Sequence, residues 1–97
     1  MLTDKRILVL GRTPRIMERV TAMLSAAGCV VVACFTDEDA HTALERGELD
    51  GFLIGGGVEG PSRAALKAVA AAHGIVVIEH VVGGPHALLE HVTRALG

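Results

Sequence analysis

Residues 52–63 read FLIGGGVEGPSR. An apolar run stops at Gly55-Gly56-Gly57, and a new segment opens at Gly60-Pro61. The run has no polar alternation, as in a strand buried on both faces. Proline suits the first position of a helix, where its missing N–H leaves no bond unmade. The stretch therefore reads as strand, glycine turn, helix.

The same unit recurs on either side. Arg6–Leu10, Val30–Phe35, Gly51–Ile54 and Ile75–Ile78 are short apolar runs rich in Val and Ile. Helical patterns separate them. In the first, Ile16, Val20, Met23, Leu24 and Ala27 form one stripe, with Thr13-Pro14 as its start and Gly28 as its stop. The second opens at Thr36-Asp37-Glu38-Asp39, whose acids suit the positive end of a helix, and stops at Gly47. The third opens at Gly60-Pro61, turns Leu66, Val69 and Ala70 inward and ends before Gly74. The fourth opens at Gly84-Pro85 and buries Leu88, Leu89, Val92 and Leu96.

Strand and helix in strict alternation imply a parallel sheet between two layers of helices. The fold class expected is α/β: a three-layer αβα sandwich on a four-stranded parallel sheet, flavodoxin-like. Right-handed crossovers favour the order 2-1-3-4, with 3-2-1-4 or a Rossmann-like half as the alternative. In the favoured order the first and fourth helices share one face, and the second and third share the other.

Composition narrows the functions. The chain has 97 residues, enough for a single domain spanning 1–97. It is 51% hydrophobic with no Trp or Tyr, so the core is aliphatic. A net charge of −2 and only two aromatics, Phe35 and Phe52, argue against nucleic-acid binding. No apolar run approaches the roughly 20 residues of a membrane span, and the N-terminus is not a secretory signal. Cys29 and Cys34 lie five apart in one strand pattern, so they point to opposite faces and do not bridge. A cytoplasmic location with reduced thiols is expected.

A family comes into view over roughly the first 60 residues. The segment ILVLGRTPRIMERVTAMLSAAGCVVVACFTDEDAHTALERGELDGFLIGGGVEG resembles the first three βα units of a response-regulator receiver domain. The carriers are the apolar first strand, Pro14, the Leu24…Ala26-Ala27-Gly28 helix end, Asp37-Glu38-Asp39-Ala40, and Gly47-Glu48-Leu49-Asp50 before the third strand. The resemblance implies phosphoryl transfer to an aspartate at the end of the third strand, beside Mg²⁺ held by an acidic pair after the first. Here the acidic pair aligns with Gly11 and Arg12, and the acceptor with Gly55. The family's Thr/Ser position falls on Glu79 or His80, and its Lys position is deleted or Gly84. The resemblance thus implies the fold without the family's chemistry, in a shortened form that lacks a helix and a strand. A second resemblance, to the sugar-phosphotransferase IIB domain, is confined to architecture. Its nucleophilic Cys has no counterpart in Gly11-Arg12-Thr13-Pro14-Arg15.

Three candidate sites follow. In open α/β sheets, ligands bind outside the carboxyl ends of the strands where the strand order reverses. Gly11, Arg12 and Thr13 would face Gly55, Gly56 and Gly57 there, with Ser62 and Arg63 adding a hydroxyl and a charge. Helix N-termini at both turns would favour a phosphate-bearing or other anionic ligand. The same glycines also suit ordinary turns, neither GxGxxG nor GxxxxGK[ST] is present, and Asp37, Glu38, Asp39, Glu59 and Glu79 crowd the same edge.

The second candidate is Glu79-His80 with His86, Glu90 and His91. His86 and Glu90 share a helix face, and His80 lies on the edge where that helix starts. But His91 points elsewhere, and no HExxH or Cys–His cluster backs a zinc site. No cofactor, metal or catalytic residue is expected. The third candidate is an interface. The outer strands lack Lys or Pro protection, and Val76, Ile78, His80, Val81 and Val82 would extend an open apolar edge. The reading is a non-enzymatic, phosphorylation-incompetent receiver-like module that acts through protein–protein contacts in signalling, as a homodimer. The alternative is a small-molecule module that binds an anion.

Overall fold

The computed structural model describes residues 2–55, 57–79 and 84–96. Strands and helices alternate throughout: β1 (Arg6–Leu10), α1 (Pro14–Ala26), β2 (Val30–Cys34), α2 (Asp37–Arg46), β3 (Gly51–Ile54), α3 (Gly60–Ala72), β4 (Val76–Glu79) and α4 (Gly84–Leu96). The four strands form one parallel sheet in the order β2-β1-β3-β4. This is the expected flavodoxin-like three-layer sandwich.

The strand sequences explain the layering. Successive side chains on a strand point to opposite faces. Ile7 and Val9 of β1 join Met17, Val20 and Leu24 of α1 and Val92 of α4 in one core. Leu8 and Leu10 join Ala40 and Leu44 of α2 and Leu66 and Ala70 of α3 in the other. The two central strands are therefore buried almost throughout, whereas β2 and β4 are half-exposed edges. Phe52, fully buried, is the largest side chain of the second core. Cys29 belongs to the first core and Cys34 to the second, so the sheet itself separates the thiols.

Local signals set the ends of the elements. Pro14 and Pro61 stand in the first turns of α1 and α3. Thr36 caps α2, its Oγ1 accepting from the Asp39 N–H at 3.2 Å. Gly47 closes α2 in the left-handed region at φ 70°, a conformation glycine adopts without penalty.

Three details depart from the sequence expectation, the first being β4, which runs Val76–Glu79 rather than Ile75–Ile78. The buried stripe of α1 runs through Met17, Val20 and Leu24, and Ile16 is 54% exposed. Met17 takes the inward place because Gly11 leaves room: a Cβ at Gly11 would lie 2.5 Å from the Met17 sulfur. β2 ends at Cys34, one residue short of Phe35, which is 44% exposed.

Candidate functional site: the carboxyl edge of the sheet

Because all strands are parallel, the turns after β1, β2 and β3 meet at one edge. Arg12 in the first turn reaches the other two. Its Nη1 donates to the Phe35 carbonyl at 2.7 Å, and Nη2 to Asp37 Oδ1 at 2.5 Å. Nε and Nη2 also donate to Glu59 at 3.3 and 3.1 Å. Ser62, in the first turn of α3, donates its Oγ proton to Asp37 Oδ2 at 2.5 Å.

A second clasp ties β3 to β4. Arg63 Nη2 donates to the Gly55 carbonyl at 2.7 Å, and Nη1 to Glu79 Oε1 at 3.2 Å. Lys67 Nζ stands 3.4 Å from the same carboxylate oxygen.

The protonation states follow these contacts. The Ser62 hydroxyl and the Arg12 guanidinium hold Asp37 below the usual carboxylate range. Arg12 does the same for Glu59, and Arg63 with Lys67 for Glu79. The carboxylates in turn hold Arg12 more firmly protonated than a free guanidinium.

The edge thus brings together Arg12, Ser62 and Arg63, as the sequence suggested, but spends them on the protein's own acceptors. Three cations, Arg12, Arg63 and Lys67, face three carboxylates, Asp37, Glu59 and Glu79. An incoming anion would have to displace a carboxylate to reach either guanidinium. The signal was present in the sequence as the acids along the same edge; the pairing became visible only when the strand order brought the turns together.

Of the three glycines, Gly55 has a steric reason. The Gly55 N–H donates to the Leu10 carbonyl at 2.8 Å, and a Cβ at Gly55 would sit 3.1 Å from that oxygen. Gly57 lies beside the Arg12 side chain, where a Cβ would make ordinary contact at 3.6 Å. Gly56 lies outside the described residues. Behind the turns, a cleft of about 240 Å³ is lined by Gly11, Thr13, Ile16, Met17, Leu53 and Gly55, mostly apolar groups.

The other candidates separate. Val76 is 42% exposed on the β4 edge, whereas Ile78 is buried. The sequence placed Ile78 at the interface; its side chain instead packs into the core beside Val92 and Leu96, under α4. His80, Val81 and Val82 lie outside the described residues, as does the side chain of His86. Glu90 is exposed and His91 half-buried. Among the described residues, no group of three or more His, Cys, Asp or Glu is placed to hold a metal ion. Likewise, no described helix is long and apolar enough to cross a membrane.

Comparison with known proteins bears on the fold alone. No family model matches the chain. No curated protein matches it either. A solved structure, a fusion carrying the trimeric coiled coil of yeast Spc42 (amino acids 181–211), superposes with a TM-score of 0.66 at 20% identity. The alignment covers 98% of this chain and 65% of that one. A coiled coil cannot supply four parallel strands, so the likeness falls on the fused partner.

Proposed function

We propose that this protein is a non-enzymatic, phosphorylation-incompetent receiver-like module that acts through protein–protein contacts as a homodimer. The observation that supports it best is the state of the carboxyl edge. At Gly55, where the receiver resemblance puts the acceptor aspartate, a side chain would crowd the Leu10 carbonyl. At Arg12, where it puts a metal-binding acid, a cation is already paired with Asp37 and Glu59. An arginine there opposes Mg²⁺ by charge and closes the edge by hydrogen bonds.

The contact part of the proposal draws on the outer strands. Among the described residues, the exposed large hydrophobic side chains are Ile16, Val30, Phe35 and Val76, and all but Ile16 lie on or just beyond an edge strand. Natural edges of this kind are usually covered or charged.

Incubation with Mg²⁺ and acetyl phosphate, read by intact mass, tests the first half. No phosphoryl adduct is expected. A stoichiometric aspartyl phosphate would overturn the reading.

A further inference from the structure

We propose that β2 is the dimer contact, pairing antiparallel with β2 of a second copy across a two-fold axis at Ala33. This rests on the reading that the module self-associates, and it names the edge that does so.

The hydrogen bonds around β2 settle which of its groups are unused. The Val30 N–H donates to the Lys5 carbonyl at 2.8 Å, and the Cys34 carbonyl accepts from the Gly11 N–H at 3.2 Å. Val30 and Cys34 therefore bond inward, to β1. In a parallel ladder alternate residues bond to a given neighbour, so Val31 and Ala33 direct their N–H and C=O away from the sheet. Beyond the strand, the Phe35 N–H shares a trans peptide plane with the inward Cys34 carbonyl and so points outward as well. Its carbonyl is held by Arg12, which leaves its N–H for an outside acceptor.

That outward row is undefended. From Gly28 to Thr36 the chain reads GCVVVACFT, with no charge and no proline. The opposite edge differs: β4 ends at Glu79, which is paired with Arg63 and Lys67. Bare, uncharged edges are the ones that pair with another strand.

The row is also self-complementary, which favours a second copy. A two-fold axis normal to the sheet keeps the α1 layer of both copies on the same side. Residues that meet must then come from the same face of the strand. With Ala33 opposite Ala33, Val31 of each copy stands opposite Phe35 of the other. The smallest side chain lies on the axis, where the backbones must close, and an exposed Phe35 covers Val31. Four main-chain bonds result: two between the Ala33 residues and two from Phe35 N–H to Val31 C=O. Beside the axis runs a mostly apolar groove between α1 and β2, lined by Met17, Thr21, Ala22, Ala33 and Phe35, with Glu18 of α1 as its one charged side chain. The product is a continuous eight-stranded sheet with two-fold symmetry, the commonest oligomer class.

The test uses two charge variants, Ala33→Lys and Ala33→Glu. The Ala33 side chain is exposed, so both should fold, which circular dichroism and melting verify. Light scattering at tens of micromolar is expected to show a wild-type dimer and each variant alone as a monomer, with the dissociation constant raised at least tenfold. Mixed in equal amounts, the two variants are expected to re-form a dimer, because opposite charges then meet at the axis. Val76→Lys, on the other edge, should leave the dimer intact. If the wild type is dimeric and both Ala33 variants remain so, the β2 contact is wrong while self-association stands. Single variants that dissociate without rescue in the mixture would overturn the Ala33 register. A monomeric wild type would remove self-association and this contact together.

Discussion

Arg12 Nη2 stands 2.5 Å from Asp37 Oδ1, joining the turn after β1 to the start of α2 across 25 positions of sequence. Glu59 completes the clasp from the turn before α3. One side chain thus pins three turns of the carboxyl edge. Removing it leaves two carboxylates facing each other without their cation. Arg12→Met is expected to lower Tm by a few degrees, and Asp37→Asn to lower it as well. The double variant should lose less than the sum, because the two substitutions disrupt one shared interaction. Thermal unfolding of the four proteins checks this.

The same clasps predict an acid sensitivity. Asp37, Glu59 and Glu79 titrate below their ordinary values of 3.8, 4.5 and 4.5 in the folded chain. A depressed carboxylate stabilises the folded state fully above its unfolded pKa and loses that contribution as pH falls through the folded one. Stability should therefore be flat near neutrality in this respect and fall from about pH 4.5 downward. Urea midpoints measured from pH 7 to pH 3 should decline less steeply in Arg12→Met than in the wild type.

How much of this was legible in the sequence differs by level. The strand order followed from four apolar runs separated by helical patterns, since right-handed crossovers leave few alternatives. Pro14, Pro61 and Gly47 marked element ends through local backbone chemistry. The inward face of α1 was not legible, because Ile16 and Met17 are both apolar and the choice between them depends on the space above Gly11. The Arg12 clasp was hidden for a related reason. Its acids lie 25 and 47 residues away, and only the sheet order makes them neighbours.

The glycine after β3 carries its own prediction. A Cβ at Gly55 meets the Leu10 carbonyl, a backbone atom that cannot swing aside and that already binds the Gly55 N–H. Gly55→Asp is expected to cost about 1–3 kcal/mol by overpacking. It should also leave the protein unreactive to acetyl phosphate, because Gly11 and Arg12 still stand where the receiver resemblance would put the metal-binding acids. Denaturant unfolding and intact mass test the two halves.

In the core, Phe52 fills the space between the sheet and the α2–α3 layer. Phe52→Ala should destabilise by about 3–5 kcal/mol, and Phe52→Leu by markedly less, since it leaves a smaller cavity. Urea unfolding with a constant slope would assign the loss to the native packing.

The thiols give a test of layering. Burial pushes the Cys29 and Cys34 thiols up, with nearby Asp39 adding to the effect at Cys34. Both should react slowly with an aromatic disulfide reagent at pH 8 in the folded protein, and rapidly in urea. Fast modification of either without denaturant would contradict its place in the core.

The central claim is that the protein works by contact with itself rather than by chemistry at the carboxyl edge. Sedimentation velocity of the wild-type chain over a range of micromolar concentrations tests this most directly. The account predicts a species of twice the 10.1 kDa chain mass that gives way to monomer on dilution. A single monomeric species at every concentration, up to a hundred micromolar or more, would contradict it.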